Sequence, residues 1–426
     1  MPTTTLTTWG RTHRVDVHHL AAPTSEAEVQ AVVREARDQG RRVRAHGALH
    51  SWSDAALTDG VAVTLDGLAG LVRVDGTRVT VRAGTRLRDL NHLLDAHGLA
   101  MPVLGSVDHQ SVAGAVSTGT HGSSRRHGNL ASIVRSLRLV TGTGEVLEID
   151  DERLDALRVG LGATGILTEL TLDVVPAFRL RERTWTVPIG EAIEQVDALS
   201  QEAEFVKLWW LPGSGRAIVF AAERTDAPST FSRLGRWVDE RVVNRVLFRG
   251  ALGATRFAPG LVGPVNKLVG AAYFRPQERV GRSHEVFHLA MPPVHREMEY
   301  AIPIEQTSEA LRGHVERVRR DGLAVNFICE VRFVKADPGW LSPAHGHDVC
   351  QLGAYMAESR DLRPYFDGFE AQMLALGGRP HWGKEFGADG ATVRGRYPKA
   401  EAWWALVQDL DPDGLFRNAF TDRVFG

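Results

Sequence analysis

Only two of the 426 residues are cysteine, Cys329 and Cys350. Two thiols cannot staple a secreted disulfide scaffold, and alone they cannot build a cysteine metal cluster. An excess of charge is missing as well: 50 Lys and Arg stand against 52 Asp and Glu, a formal charge of -2. That balance gives no electrostatic footing for nucleic acid or an anionic membrane as partner. No apolar run approaches the roughly 20 residues that span a bilayer. Residues 1–20 are polar, without the apolar centre of a signal peptide. A cytoplasmic protein is therefore expected. Walker loops and the three-glycine dinucleotide fingerprint do not occur either. What is there is an ordinary globular mixture, 43% hydrophobic and 24% charged. It is too long for one core, so two domains, or one with a large second lobe, are expected.

Residues 24–40 read as a helix. Ser25 and Glu28 form a capping box, Val29, Val32 and Val33 an apolar stripe, and Gly40 closes the element. Arg42 to Ala45 is a short strand entering a glycine turn, and Val61 to Leu65 alternates as another. Leu71 to Val74, the Asp75-Gly76 turn and Arg78 to Ala83 make a hairpin signal. Residues 85–97 are amphipathic, with Leu87, Leu90, Leu93 and Leu94 inward and Gly98 beyond the end. Residues 101–125 show little periodicity. Strands resume at Ser136 to Val140 and Thr168 to Val174, the first followed by a Gly142-Thr143-Gly144 turn. This is an α+β pattern. The character changes near Pro176, where the domain boundary is expected. Trp403, Trp404 and the Asp411-Pro412-Asp413-Gly414 turn read as a closing helix and tail.

Two glycine-rich segments precede the boundary: His46-Gly47-Ala48-Leu49-His50-Ser51, and residues 114–122, Gly-Ala-Val-Ser-Thr-Gly-Thr-His-Gly. Small residues permit positive dihedrals and let successive N–H groups approach a pyrophosphate. Ordinary turns also use glycine, but two such loops in one lobe, each with a histidine, favour a cofactor. Alone, His46, His50, His109 and His121 read as structural or surface histidines. No pair sits at the i, i+4 spacing of a zinc site on an expected helix. Phe327 to Val334 alternates as a strand, with Phe327, Cys329, Val331 and Phe333 on one face and Glu330 and Arg332 on the other. Such a pair is either a surface ion pair contributing ~0–1 kcal/mol or a charged pair facing a pocket. Residues 377–384, Gly-Gly-Arg-Pro-His-Trp-Gly-Lys, are a dense polar and aromatic loop of the kind that often builds a site.

Together these residues resemble the aldonolactone oxidases of the gulonolactone and arabinonolactone type, within the vanillyl-alcohol-oxidase flavoprotein group and near the alditol oxidases. The likeness covers nearly the whole chain. Its blocks are Leu49-His50-Ser51, Gly105-Ser106, Val112-Ala113-Gly114, residues 117–122 and Gly162-Ala163-Thr164-Gly165. The second half adds Ala301-Ile302-Pro303-Ile304-Glu305, Glu330-Val331-Arg332-Phe333, Leu341-Ser342-Pro343, residues 377–384, and Asp411 to Phe416 followed by Asn418. The resemblance implies a two-lobed FAD-binding fold: an FAD domain over 1–176, an α+β substrate domain over 177–404, and a tail over 405–426 that returns to the FAD domain. It implies an FAD covalently bound through His50. His46, Gly47, Ala48, Leu49, Ser51, Gly105, Ser106, Ser111, Gly114, Thr118, Gly119, Thr120, His121, Gly165, Ile166, Leu167, His381 and Lys384 would contact the cofactor. Glu330, Arg332, Lys384 and Ser106 would carry the chemistry, taking a hydride from a hydroxyl-bearing carbon of a lactone or polyol. Gly105 implies O2 as acceptor, with hydrogen peroxide as product, because a side chain there would hinder oxygen. No metal is implied.

Three departures qualify the likeness. Family members carry glycine directly before the flavin-linked histidine, and this chain has Leu49. Gly353 and Tyr355 stand where alditol oxidases place a His and a Thr on the polyol, and the small residues there leave room for a bulkier substrate. Residues 231–274 resemble an apolar helical insert, with Trp237, Val242, Val243, Val246, Leu247 and Phe248 among five arginines. That insert is either a buried helix or a peripheral membrane contact. A flavin tailoring enzyme acting on a larger alcohol is the alternative function. A non-catalytic flavin-binding protein is the third reading, opposed by the retained Glu330, Arg332 and Lys384.

Overall fold

The computed structural model describes residues 4–231, 250, 252–253, 255, 258–289, 293–357 and 362–426. Trp237 to Phe248 of the apolar insert lie outside the described residues. Among those described, no helix is long and apolar enough to cross a membrane.

In the first lobe an antiparallel pair, Thr4–Thr7 and Arg14–Val17, precedes a three-stranded parallel sheet of His19–Ala21, Val61–Thr64 and Val43–His46, with Val61–Thr64 central. The helix Glu26–Asp38 covers it, burying Val29, Val33 and Ala36. Ser25 caps this helix by accepting from the Glu28 N–H. The Glu28 carboxylate reaches the Thr24 N–H at 2.7 Å rather than that of Ser25, so the expected box is half formed. A second, antiparallel sheet orders Val146–Ile149, Val134–Val140, Ile166–Asp173, Arg78–Arg82 and Leu71–Asp75. It contains both expected hairpins, turning at Gly76 (φ 57°) and Gly144 (φ 80°). Residues 101–125 are not wholly irregular, since Val112–Ser117 is a short helix capped by the Ser111 hydroxyl. Its six residues are too few to show a helical period in the sequence.

The second lobe is one antiparallel sheet of eight strands in the order Gln277–Arg282, Arg179–Pro188, Arg216–Thr225, Phe205–Trp210, Cys329–Val334, Val349–Ala357, His295–Pro303 and Arg379–Pro380. One face packs on the helices Ile189–Glu194, Thr307–Arg320 and Arg363–Ala375 through Leu208, Val331, Leu352, Tyr300 and their neighbours. Strand alternation then sends the polar residues to the opposite face, toward the first lobe.

The chain returns to the first lobe earlier than residue 405. Trp382, Val393, Tyr397, Ala400 and Trp403 already belong to its core, with Phe416, Phe420 and Phe425. Arg44, fully buried, fixes the return: it donates to the carbonyls of Ala55 (2.8 Å), Gly162 (3.0 Å), Phe416 (2.6 Å) and Leu161. Asn418 Nδ2 adds bonds to the carbonyls of Ala55 and Leu57 at 3.1 and 2.8 Å.

Candidate active site

Four neighbouring strands of the large sheet align their polar residues by register. Trp209, Glu330, Gly353 and Glu299 form one row; Lys207, Arg332, Gln351 and Ala301 form the next; Tyr355 faces Glu297. Glu330 and Arg332 are 5% and 9% exposed, which removes the surface ion-pair reading. Arg332 lies 2.9 Å from Glu330 Oε1 and donates to the Ser106 hydroxyl at 2.7 Å. Trp209 Nε1 and the Tyr355 hydroxyl each donate to Glu330 at 2.7 Å. Burial alone would raise the Glu330 pKa. The Arg332 and Lys207 charges and these bonds outweigh it and bring the carboxyl down to about 2. Burial, then Glu297 and Glu330, push the Tyr355 phenol well up. Glu330 is thus a fixed anion and Tyr355 a fixed donor.

The Tyr355 ring lies against Gly353: a Cβ built there would come 3.0 Å from the ring. The open space expected beside Gly353 is therefore filled. Ala354 faces the helical core, so it does not widen a pocket either. Phe327 departs from the expected alternation. It precedes the strand Cys329–Val334 and stacks on His295 at 4.7 Å, within the cluster that includes Tyr355.

Two segments of the first lobe and one from the C-terminal part close on this face. The Ser124 N–H donates to Phe333 O at 2.7 Å and the Phe333 N–H to Ser123 Oγ at 3.1 Å, which carries Thr120 and His121 to the sheet. The loop 377–384 is partly a strand: Arg379–Pro380 pairs with Tyr300 and Ala301. The N–H groups of His381 and Glu385 then donate to the carbonyls of Glu299 and Glu297. The third segment joins through Trp52, whose N–H donates to Gly383 O (2.8 Å) and whose Nε1 donates to His295 O (2.7 Å). His50 and Lys384 thereby share one wall, with Lys384 Nζ 4.2 Å from the Trp52 ring centre.

His50 is half-buried, its ring 4.8 Å from that of Trp9. Burial, then the Lys384 charge, lowers its pKa to about 3, so the imidazole is neutral. No hydrogen bond engages its ring among the described residues. Leu49 before it holds φ 52°. This is the left-handed region that glycine enters freely and leucine rarely, so a glycine at this position would adopt the same turn without strain. Gly47 touches the next wall: a Cβ there would meet Ser111 Oγ at 1.9 Å.

These walls fit FAD on their own terms. Gly47, Ala48, Leu49, Ser51, Ser106, Gly114 and Thr118 remain partly exposed between buried neighbours, a groove lined by backbone and small hydroxyls. Gln351 is 2% exposed, yet its Oε1 has no partner, an acceptor awaiting a donor from a bound group. His46 Nε2 is likewise buried without a partner. Gly105, Gly119 and Thr120 are buried behind the groove. Gly165, Ile166 and Leu167 lie in the first-lobe core, and a Cβ at Gly165 would meet Leu139 and Val140 at 2.8 Å. Packing accounts for that glycine.

Glu297, Glu299, Lys207 and Trp209 were not singled out from the sequence. His295, Glu297 and Glu299 alternate as Glu330 and Arg332 do, so the same period-two test would have found them. His121, Glu299 and His381 bring three ligand atoms within 4.8 Å. A metal fits poorly there, because His381 Nδ1 already accepts from the Gly383 N–H at 3.0 Å.

Known proteins agree with this architecture. The FAD-binding domain profile matches residues 17–150. The solved structure of cholesterol oxidase from Brevibacterium sterolicum superposes with a TM-score of 0.84 at 17% identity, covering 100% of this chain and 97% of that one. The class is thus a two-lobed FAD-dependent oxidoreductase. The D-arabinono-1,4-lactone oxidase profile matches residues 170–424. L-gulono-1,4-lactone dehydrogenase of Mycobacterium tuberculosis is 36% identical over 96% of both chains. L-gulonolactone oxidase of Bos taurus is 33% identical over 98% of this chain and 97% of its own. Alditol oxidase of a Streptomyces species is 33% identical over 88% of this chain and 89% of its own. The chain belongs to the D-arabinono-1,4-lactone oxidase family.

Proposed function

We propose that this protein oxidises a hydroxyl-bearing carbon of an aldono-1,4-lactone or related sugar-derived alcohol, with O2 reduced to hydrogen peroxide. The observation that carries this reading is the grouping of Glu330, Arg332 and Lys384 on one buried wall that also bears the His50 loop. FAD bound in the groove supplies the hydride acceptor. Arg332 and Lys384 stabilise negative charge as it develops on the substrate oxygen and on the wall facing them. Trp209 and Tyr355 spend their single hydrogens on Glu330, which in turn fixes Arg332, and the guanidinium's remaining N–H groups orient the substrate hydroxyls. With three donors already on its two oxygens and a pKa near 2, Glu330 does not take up the hydroxyl proton.

His50 is the attachment point for the flavin. Its neutral ring, free of hydrogen bonds among the described residues, keeps a nitrogen lone pair available for alkylation. Protein precipitated in acid is expected to keep its yellow colour in the pellet, and H50A to release it. A colourless wild-type pellet would contradict the covalent link. The space filled by Tyr355 favours a small substrate over the larger alcohol of the tailoring alternative. The relatives' names divide between oxidase and dehydrogenase. Gly105 supports the oxidase. Reduced enzyme mixed with air in a stopped-flow instrument should reoxidise fast, and slow reoxidation would favour the dehydrogenase.

A further inference from the structure

We propose that Glu297 and Glu299 are positioning residues that act through Lys384 and His121. The inference rests on the function proposed above and assigns a task to two acids that take no part in bond making. Both project from the strand His295–Pro303 toward the first lobe, 2% and 4% exposed. Two buried carboxylates on one face are tolerable only if each is paired. Each has a basic partner. Lys384 Nζ lies 2.5 Å from Glu297 Oε1 and 3.9 Å from Glu299 Oε2. His121 Nε2 lies 3.1 Å from Glu299 Oε1.

The pairing is fixed from several sides. His121 Nδ1 lies 2.9 Å from the Gly122 carbonyl and Nε2 faces Glu299, so the ring is oriented from both of its nitrogens. The backbone of the same strand holds the loop that carries the lysine, through Glu385 N–H to Glu297 O (3.0 Å) and His381 N–H to Glu299 O (2.9 Å). A free lysine side chain has rotamer entropy to lose. Here the loss is taken on folding, because the ammonium is held between a carboxylate and the Trp52 ring. This network is separate from that of Glu330, which holds Arg332. The wall therefore carries two anchored pairs, Arg332 on Glu330 and Lys384 on Glu297.

The test is a pair of double-mutant cycles on the flavin-loaded enzyme, read as the rate of flavin reduction by an aldonolactone without air. E297Q and E299Q keep side-chain shape. Each alone should slow reduction roughly ten- to a hundredfold, the cost of a misplaced catalytic group. Added to K384M or H121N respectively, the same change should cost less than about twofold, because the group acted through is gone. An independent readout is the 15N spectrum of histidine-labelled protein. The signal that disappears in H121N should shift in E299Q and keep its position in E297Q. Full additivity in both cycles, or a His121 signal that E299Q leaves unmoved, would overturn the inference. Should E297Q not fold, the Glu299 cycle and the spectrum decide alone. Flavin that binds and is bleached while the cycles are additive sinks only this inference; flavin that no alcohol bleaches sinks the function proposed above.

Discussion

Leu49 occupies a backbone conformation, φ 52°, that a branched side chain enters only under strain. Its side chain packs beside Leu6, Val17 and Leu57, which offsets part of that cost. Two substitutions should separate strain from packing. L49G relieves the strain and loses the packing, so its stability should stay within about 1 kcal/mol of the wild type. L49I keeps apolar bulk but adds β-branching at positive φ, and should lose roughly 1–3 kcal/mol in urea denaturation. Lys207 makes a second residue-scale case. Its ammonium lies 5.1 and 5.0 Å from the Trp209 and Phe220 ring centres. Burial, then the Arg332 charge, lowers its pKa to about 8, against the partial support of Glu330. A folded pKa below the unfolded value means the unfolded chain binds the proton more tightly. Stability from this group is thus lowest below pH 8 and rises as pH climbs from 8 toward the ordinary lysine value near 10.4. K207M should melt a few degrees higher than wild type at pH 7, with the gain shrinking toward pH 10. A gain constant across that range would refute the desolvation account.

At the scale of elements, the structure shows why some of it could be read in the sequence and some could not. The helix Glu26–Asp38 and the two hairpins carry local signals: a cap, an apolar stripe, glycine at the turns. Period-two alternation placed Glu330 and Arg332 on one face, but it could not say whether that face was buried. That depends on Phe205–Trp210 and Val349–Ala357 pairing on either side, contacts 121 and 23 residues distant where Trp209 and Gly353 flank Glu330. The span 377–384 read as a loop because the two-residue strand Arg379–Pro380 is defined only by its partner Tyr300. The point at which the chain rejoins the first-lobe core was hard to read for a similar reason, since Trp382 and Trp403 show no local sign of which core they join. Arg44 was invisible as well: an arginine amid small residues reads as surface, and only the fold brings four carbonyls to it. Its removal leaves those carbonyls without donors in a dry interior. R44M should cost at least about 3 kcal/mol in stability. It should also weaken flavin retention, since the Leu161, Gly162 and Phe416 segments lose their common tie. Unchanged stability would show that water or a neighbouring group takes its place.

As a whole molecule, the protein sets a wall of buried charge from one lobe against a groove of glycines and hydroxyls from the other. The C-terminal segment, from Trp382 onward, runs back into the first core and binds the two together. Neither half contains the whole site: the His50 loop and His121 come from the first lobe, and Glu330, Arg332 and Glu299 from the sheet of the second. The most direct test is the visible spectrum of purified, flavin-loaded protein mixed with an aldono-1,4-lactone in the absence of air. The account predicts a flavin band that bleaches in wild type and bleaches far more slowly in R332M and K384M. Protein that remains colourless when supplied with FAD, or a flavin that no lactone or polyol reduces, would contradict it.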